Sequence, residues 1–125
     1  MRFLGVDFGA KRIGIAVSNP EGTIAFPREI VQGGAGAVER ILDIVKKEDA
    51  ETIVVGLPLG QGGKDTDQTM RVRGFVGELK RTTDIPVEFE NELLTTRLAQ
   101  KSVQGVAPDA SAAALILQSY LDRQK

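Results

Sequence analysis

The run TIVVGLP, residues 52–58, constrains the fold more than any other stretch of the chain. Its apolar residues follow one another without the polar alternation of a half-solvated strand, so a strand built from them must be covered on both faces. Covering layers need amphipathic helices, and the chain supplies them. Val38, Ile41, Leu42 and Val45 recur at helical spacing in GAVERILDIVKKEDA, with Lys46 and Lys47 suited to the negative C-terminal end of the dipole. Val72, Phe75, Val76 and Leu79 mark a second helix. Three β-branched runs come first, RFLGVDF (2–8), RIGIAVS (12–18) and TIAFPREIV (23–31), separated by GAK and NPEG, and they read as an antiparallel meander. PVEFENE (86–92) reads as a fifth strand, LLTTRLAQKS as a short helix and DASAAALILQSYLDRQK as a last one. The order βββαβαβαα predicts an α/β fold, a mixed five-stranded sheet with helices on both faces. A chain of 125 residues suits one domain over residues 1–125.

Absent residue types bound the chemistry. The chain has no cysteine and no histidine, which excludes a thiolate nucleophile, an imidazole base and a serine-histidine triad. Catalysis would have to use carboxylates, lysines, hydroxyls or a metal held by oxygen. No window approaches ~20 consecutive apolar residues, and the start MRFLGVDFGA lacks the pattern of a signal peptide, so the expectation is a cytoplasmic protein with no membrane partner. The net charge of −1 announces no nucleic-acid binder; only the placement of charge can.

Within GVDFGAKRIGIAVS (5–18), Asp7 stands inside an apolar strand between Val6 and Phe8. A carboxylate there loses hydration, which costs several kcal/mol unless a cation or donors compensate it. Glu92 ends the fifth strand and Asp109 opens the alanine-rich helix. Each has an ordinary account, Glu92 as a solvated strand end and Asp109 as a helix cap. In sheets of this kind, however, ligands gather at the carboxyl ends of strands, where Asp7 and Glu92 both fall. Carboxylates converging from separate elements suit Mg²⁺ or Mn²⁺, and two such ions would activate a water and stabilise a departing phosphate oxygen.

The segments LGVDFGAKRIGIAVS, IVVGLP, RVRGF, NELLTT and DASAAALILQSYLD, in that order, resemble the YqgF family of RNase H-like proteins, described as pre-16S rRNA nucleases and Holliday junction resolvases. The resemblance covers most of the chain. It implies an RNase H-like sheet of order 3-2-1-4-5 and a metal-dependent nuclease acting in maturation of precursor ribosomal RNA, with branched DNA as the other substrate. It maps the family's acids onto Asp7, Glu92 and Asp109 as catalytic residues and metal ligands, and its basic residues onto Lys11 and Arg12. The family usually reads Asp-Glu-Arg before a leucine and two threonines; here Asn91, Glu92 and Leu93 precede Leu94, Thr95 and Thr96. The segment RLAQKSVQGVAP before Asp109 is also short and lacks the family's lysine-arginine cluster.

For substrate contact, Gly9 lets a backbone amide approach phosphate. Lys11, Arg12, Arg97 and Lys101 would make a positive rim around the acids, and Arg71 and Arg73 would steer a backbone phosphate. The order 3-2-1-4-5 puts the fifth strand two places from the first, about 10 Å away at ~4.8 Å per strand. Two other readings remain open: a non-catalytic nucleic-acid-binding or ribosome-assembly module of the same fold, and a phosphate loop of the actin and hexokinase type.

Overall fold

The computed structural model describes residues 2–91 and 108–124, with the side chains of all but 108–111. Strands β1 (Arg2–Asp7), β2 (Arg12–Ser18) and β3 (Ala25–Gln32) form the antiparallel meander. Helix α1 (Ala37–Glu48), β4 (Ala50–Leu57), a single 3₁₀ turn (Gln61–Gly63), α2 (Asp67–Thr82), β5 (Val87–Asn91) and α3 (Pro108–Arg123) follow. The sheet order is β3-β2-β1-β4-β5, with β4 parallel to both β1 and β5. The mixed sheet and its order are those expected from the sequence; the short helix read in LLTTRLAQKS lies outside the described residues.

β4 is covered on both sides, as its composition requires. Ile53 and Val55 enter the core formed with α1 and α2, where Ile41, Ile44, Phe75 and Leu79 are buried, while Val54 enters a smaller core on the other face with Ala16 and the α3 residues Ala113, Ile116, Leu117 and Leu121. β4 begins two residues earlier than its apolar run. Asp49 adopts a left-handed conformation (φ 54°) that stops α1, with its N–H bonded back to the carbonyls of Val45 and Lys46, and the chain turns straight into the strand.

α2 likewise starts well before its first apolar residue, because a capping box forms there. The Thr66 hydroxyl accepts the Thr69 N–H at 3.2 Å and the Thr69 hydroxyl accepts the Thr66 N–H at 2.9 Å. The buried Thr69 hydroxyl also donates to the Pro58 carbonyl, which ties the start of α2 to the end of β4.

Candidate active site

Because β1, β4 and β5 run parallel, their carboxyl ends share one edge of the sheet. Asp7 closes β1 at that edge, half-buried and paired across to the buried Gly14 of β2. Alternate strand residues share a face, so Asp7 lies on the face of Phe3 and Gly5. That face is covered by α3. The Phe3 ring lies 5.9 Å from the Tyr120 ring, and a Cβ on Gly5 would stand 2.7 Å from the Leu117 Cβ and 2.9 Å from the Ala113 carbonyl oxygen. Moving from Phe3 to Gly5 along β1 therefore moves from Tyr120 to Ala113 along α3. One further step on each element reaches Asp7 on the strand and residue 109, one turn before Ala113, on the helix. Glycine at position 5 is what lets the helix backbone come this close.

Asp109 is the second residue of α3, and its side chain lies outside the described residues. Glu92 follows Asn91, the last residue of β5, and with Arg97 and Lys101 also lies outside them. Asn91 pairs with Leu57, placing the end of β5 at the same edge as Asp7 but two strands away, about 10 Å at ~4.8 Å per strand.

The turn after Asp7 is tightly built. A Cβ on Gly9 would lie 2.5 Å from the Arg12 carbonyl oxygen, which gives this glycine a steric reason in addition to any contact with phosphate. Gly33 donates its N–H to the Lys11 carbonyl at 2.9 Å, and a side chain at 33 would collide with the Ala10 carbonyl. The β3–α1 loop thus braces the β1–β2 turn, in which Lys11 and Arg12 are exposed. Phe8 turns to the opposite face, 4.6 Å from the Phe75 ring.

Arg73 is engaged within the fold. It donates two hydrogen bonds to Asp65, at 3.0 and 3.1 Å, and its guanidinium lies 5.6 Å above the Phe89 ring. The Asp65 hydrogen bond raises its pKa. This pairing holds the loop between β4 and α2. Arg71 is exposed, bonded to Gln68 at 3.3 Å, and lines a cleft of about 500 Å³ with Phe8, Ala10 and Phe75.

Two acids that the sequence reading did not single out are bound by α3. Glu90 is 1% exposed and faces α3, where Ser119 Oγ donates to one carboxylate oxygen at 2.6 Å and Arg123 donates to the other. The Tyr120 hydroxyl donates to Glu88. Burial, reinforced by that carboxylate, pushes the Tyr120 hydroxyl up to about 12. The Glu90 hydrogen bond, more than any other influence, raises the Arg123 pKa. The signal was present as two acids two apart on a strand and two donors, Ser119 and Arg123, four apart on a helix, but it is legible only once strand and helix are known to pack.

Among the described residues, no three acids are grouped to hold a metal. The chemistry of the sequence-predicted set, carboxylate oxygens with no nitrogen or sulfur donor, fits a hard cation such as Mg²⁺ or Mn²⁺.

Residues 1–123 match the model of a family described as "RuvX: Holliday junction resolvase". A protein of Nitratidesulfovibrio vulgaris (strain DSM 19637 / Miyazaki F) named "Putative pre-16S rRNA nuclease" is 39% identical over 134 residues, covering 98% of this chain and 94% of its own. A protein of the same name from Sulfurihydrogenibium sp. (strain YO3AOP1) is 38% identical over 131 residues, covering 98% and 90%. Among solved structures, T. thermophilus RuvC in complex with a Holliday junction substrate superposes with a TM-score of 0.66 at 16% identity, over 99% of this chain and 96% of that one. The fowlpox virus Holliday junction resolvase gives 0.61 at 10% identity over the whole of both chains. These structural likenesses bear on the fold, which is that of RuvC-like resolvases.

Proposed function

The chain belongs to the RuvX (YqgF) family, and on that premise we propose that it is a nuclease that hydrolyses phosphodiester bonds in the 5′-end maturation of precursor 16S ribosomal RNA. The observation that carries this reading is the convergence at one end of the sheet: Asp7 closes the central strand on the face covered by α3, and the helix brings residue 109 to that same end. Asp7, Glu92 and Asp109 would hold Mg²⁺ or Mn²⁺. When bound, such a cation supplies an activated water and charge stabilisation at a departing phosphate oxygen. The chain's own contribution is positional. The braced β1–β2 turn fixes Asp7 and sets Lys11 and Arg12 at the rim, where a phosphate backbone would be gripped by charge and steered toward the acids. Arg97 and Lys101 would extend that rim, and Arg71 would take a phosphate further along the strand. Arg73, already paired with Asp65, would contribute by holding its loop. No helix among the described residues is long and apolar enough to cross a membrane, in keeping with an enzyme that meets its RNA in the cytoplasm.

The match to a family described as a Holliday junction resolvase favours branched DNA as the second reading. One experiment decides: cleavage of structured precursor RNA and of a four-way DNA junction, side by side in Mg²⁺ or Mn²⁺, with Asp7→Asn as control. The expected result is RNA cleavage that disappears in the variant. Because acids crowded at one end repel when no cation is present, the apo variant should melt no lower than the parent. An apo variant that melts far lower yet still cleaves would return Asp7 to a structural role.

A further inference from the structure

Among the described side chains, the polar anchors of α3 lie in its second half. Gln118 donates to the Thr23 carbonyl and accepts the Ala25 N–H, both at 2.9 Å, and so grips the start of β3. Ser119 and Arg123 grip Glu90 on β5, and Tyr120 grips Glu88 beside it. β3 and β5 are the two opposite edges of the sheet. The helix is therefore pinned from both flanks, which fixes its rotation as well as its slide. Ahead of these anchors, residues 112–117 read AAALIL and contain no polar side chain. The Gly5 contact sets how near residues 113–117 come to the sheet, and among the described side chains the directional bonds that set slide and rotation come from the trailing end.

The Glu90 carboxylate is the costly part of this device. A buried charge is tolerated only when its partners are in place, and a helix that slid by one turn, about 5.4 Å, would strand it without them. A buried carboxylate held by the Ser119 hydroxyl and a half-exposed guanidinium selects one arrangement among several that apolar packing would accept.

We propose that Glu90, with Ser119 and Arg123, is a positioning clamp that sets the slide and rotation of α3 on the sheet and, through the helix, the separation of residue 109 from Asp7. Its catalytic consequence rests on the nuclease reading above; the clamp itself does not.

The test uses the double variant Glu90→Leu/Arg123→Met, in which apolar side chains replace the pair. Glu90 is buried and Arg123 half-exposed, and removing a buried charge together with its partner is often neutral for stability, so the melting temperature should stay close to the parent's. The chain has no cysteine, so spin labels placed through Ala10→Cys and Ala112→Cys report the distance from the β1–β2 turn to the leading end of α3 without background. The expected result is a label distance that shifts or broadens in the double variant. With it should come Mn²⁺ binding by calorimetry and a cleavage rate that are each about tenfold weaker, since ångström-scale misplacement costs 10- to 100-fold. An unchanged label distance in the folded double variant overturns the proposal. So does a shifted distance with Mn²⁺ binding and cleavage at parental values. Should the double variant fail to fold, Ser119→Ala/Arg123→Met, which removes both donors to Glu90, is read in the same three ways, and Arg123→Lys alone, which keeps a cation opposite Glu90, should disturb each readout less. If the parent neither binds Mn²⁺ nor cleaves, the nuclease reading fails, and the label distances still decide the clamp.

Discussion

The two faces of this sheet are held by different means. Against α1 and α2 the contact is one of volume: Leu4, Ile13, Ile53 and Leu79 are fully buried, and the helices stand off by the bulk of branched side chains. Against α3 the contact is one of fit and direction. Gly5 meets Ala113 and Leu117 at close range, Ala16 shares their small core, and hydrogen bonds to Glu88, Glu90 and the β2–β3 turn complete the attachment. Volume tolerates substitution and adjusts, whereas close approach and paired charges specify one placement. Asp7 lies on the second face. The chain thus puts its stability on one side of the sheet and its positional accuracy on the other.

This contrast breaks first if the α1/α2 face proves dispensable. Leu79→Ala deletes a fully buried side chain and should cost about 2–5 kcal/mol in urea unfolding, while cleavage per folded molecule stays near the parental value. A loss under 1 kcal/mol would mean that the large core carries less than its burial implies. Gly5→Ala should cost less, about 1–3 kcal/mol, because its new Cβ would stand 2.7 Å from the Leu117 Cβ and 2.9 Å from the Ala113 carbonyl oxygen, and the helix must yield. Its effect on cleavage should exceed what the lost stability explains; equal losses would erase the distinction between the faces.

The smallest effect concerns pH. Tyr120, raised from 10.0 to about 12, keeps its proton in the folded protein where the unfolded chain would release it. The native state then binds more protons than the unfolded one, so this contribution is whole below about pH 10 and declines as pH rises toward 12. Tyr120→Phe should flatten that part of the stability–pH curve and leave the neutral range nearly unchanged. A parental curve that shows no such decline would remove Tyr120 from the directional face.

Much of this was legible in the sequence. Runs of period two and period 3.6 gave the strands and helices, and the unbroken TIVVGLP announced a strand covered on both sides, which Ile53, Val54 and Val55 bear out by alternating between the two cores. The starts of β4 and α2 were less legible. They depend on a left-handed Asp49 and on the Thr66–Thr69 box, local hydrogen bonding that apolar periodicity does not register. For the site, Asp7 stood out because charge within an apolar run is conspicuous. Glu90 did not, since an acid in PVEFENE looks solvated until Arg123 and Ser119 are brought over it from a distant helix. The bond of Arg73 to Asp65 was equally hidden, because Asp65 sits in a glycine-rich loop whose course apolar periodicity does not register.

The contact between Gly5 and the Ala113 carbonyl joins the first strand to the last helix, with nearly the whole described chain between them. During synthesis the meander, α1 and β4 emerge early and can lay down much of the larger core as they appear, but the smaller core lacks its helical half until α3 arrives. Packing of that smaller core and arrival of residue 109 toward the Asp7 end of the sheet are then a single late event. A nascent chain whose first strands alone have emerged therefore carries Asp7 without the helix whose start reaches the same end of the sheet.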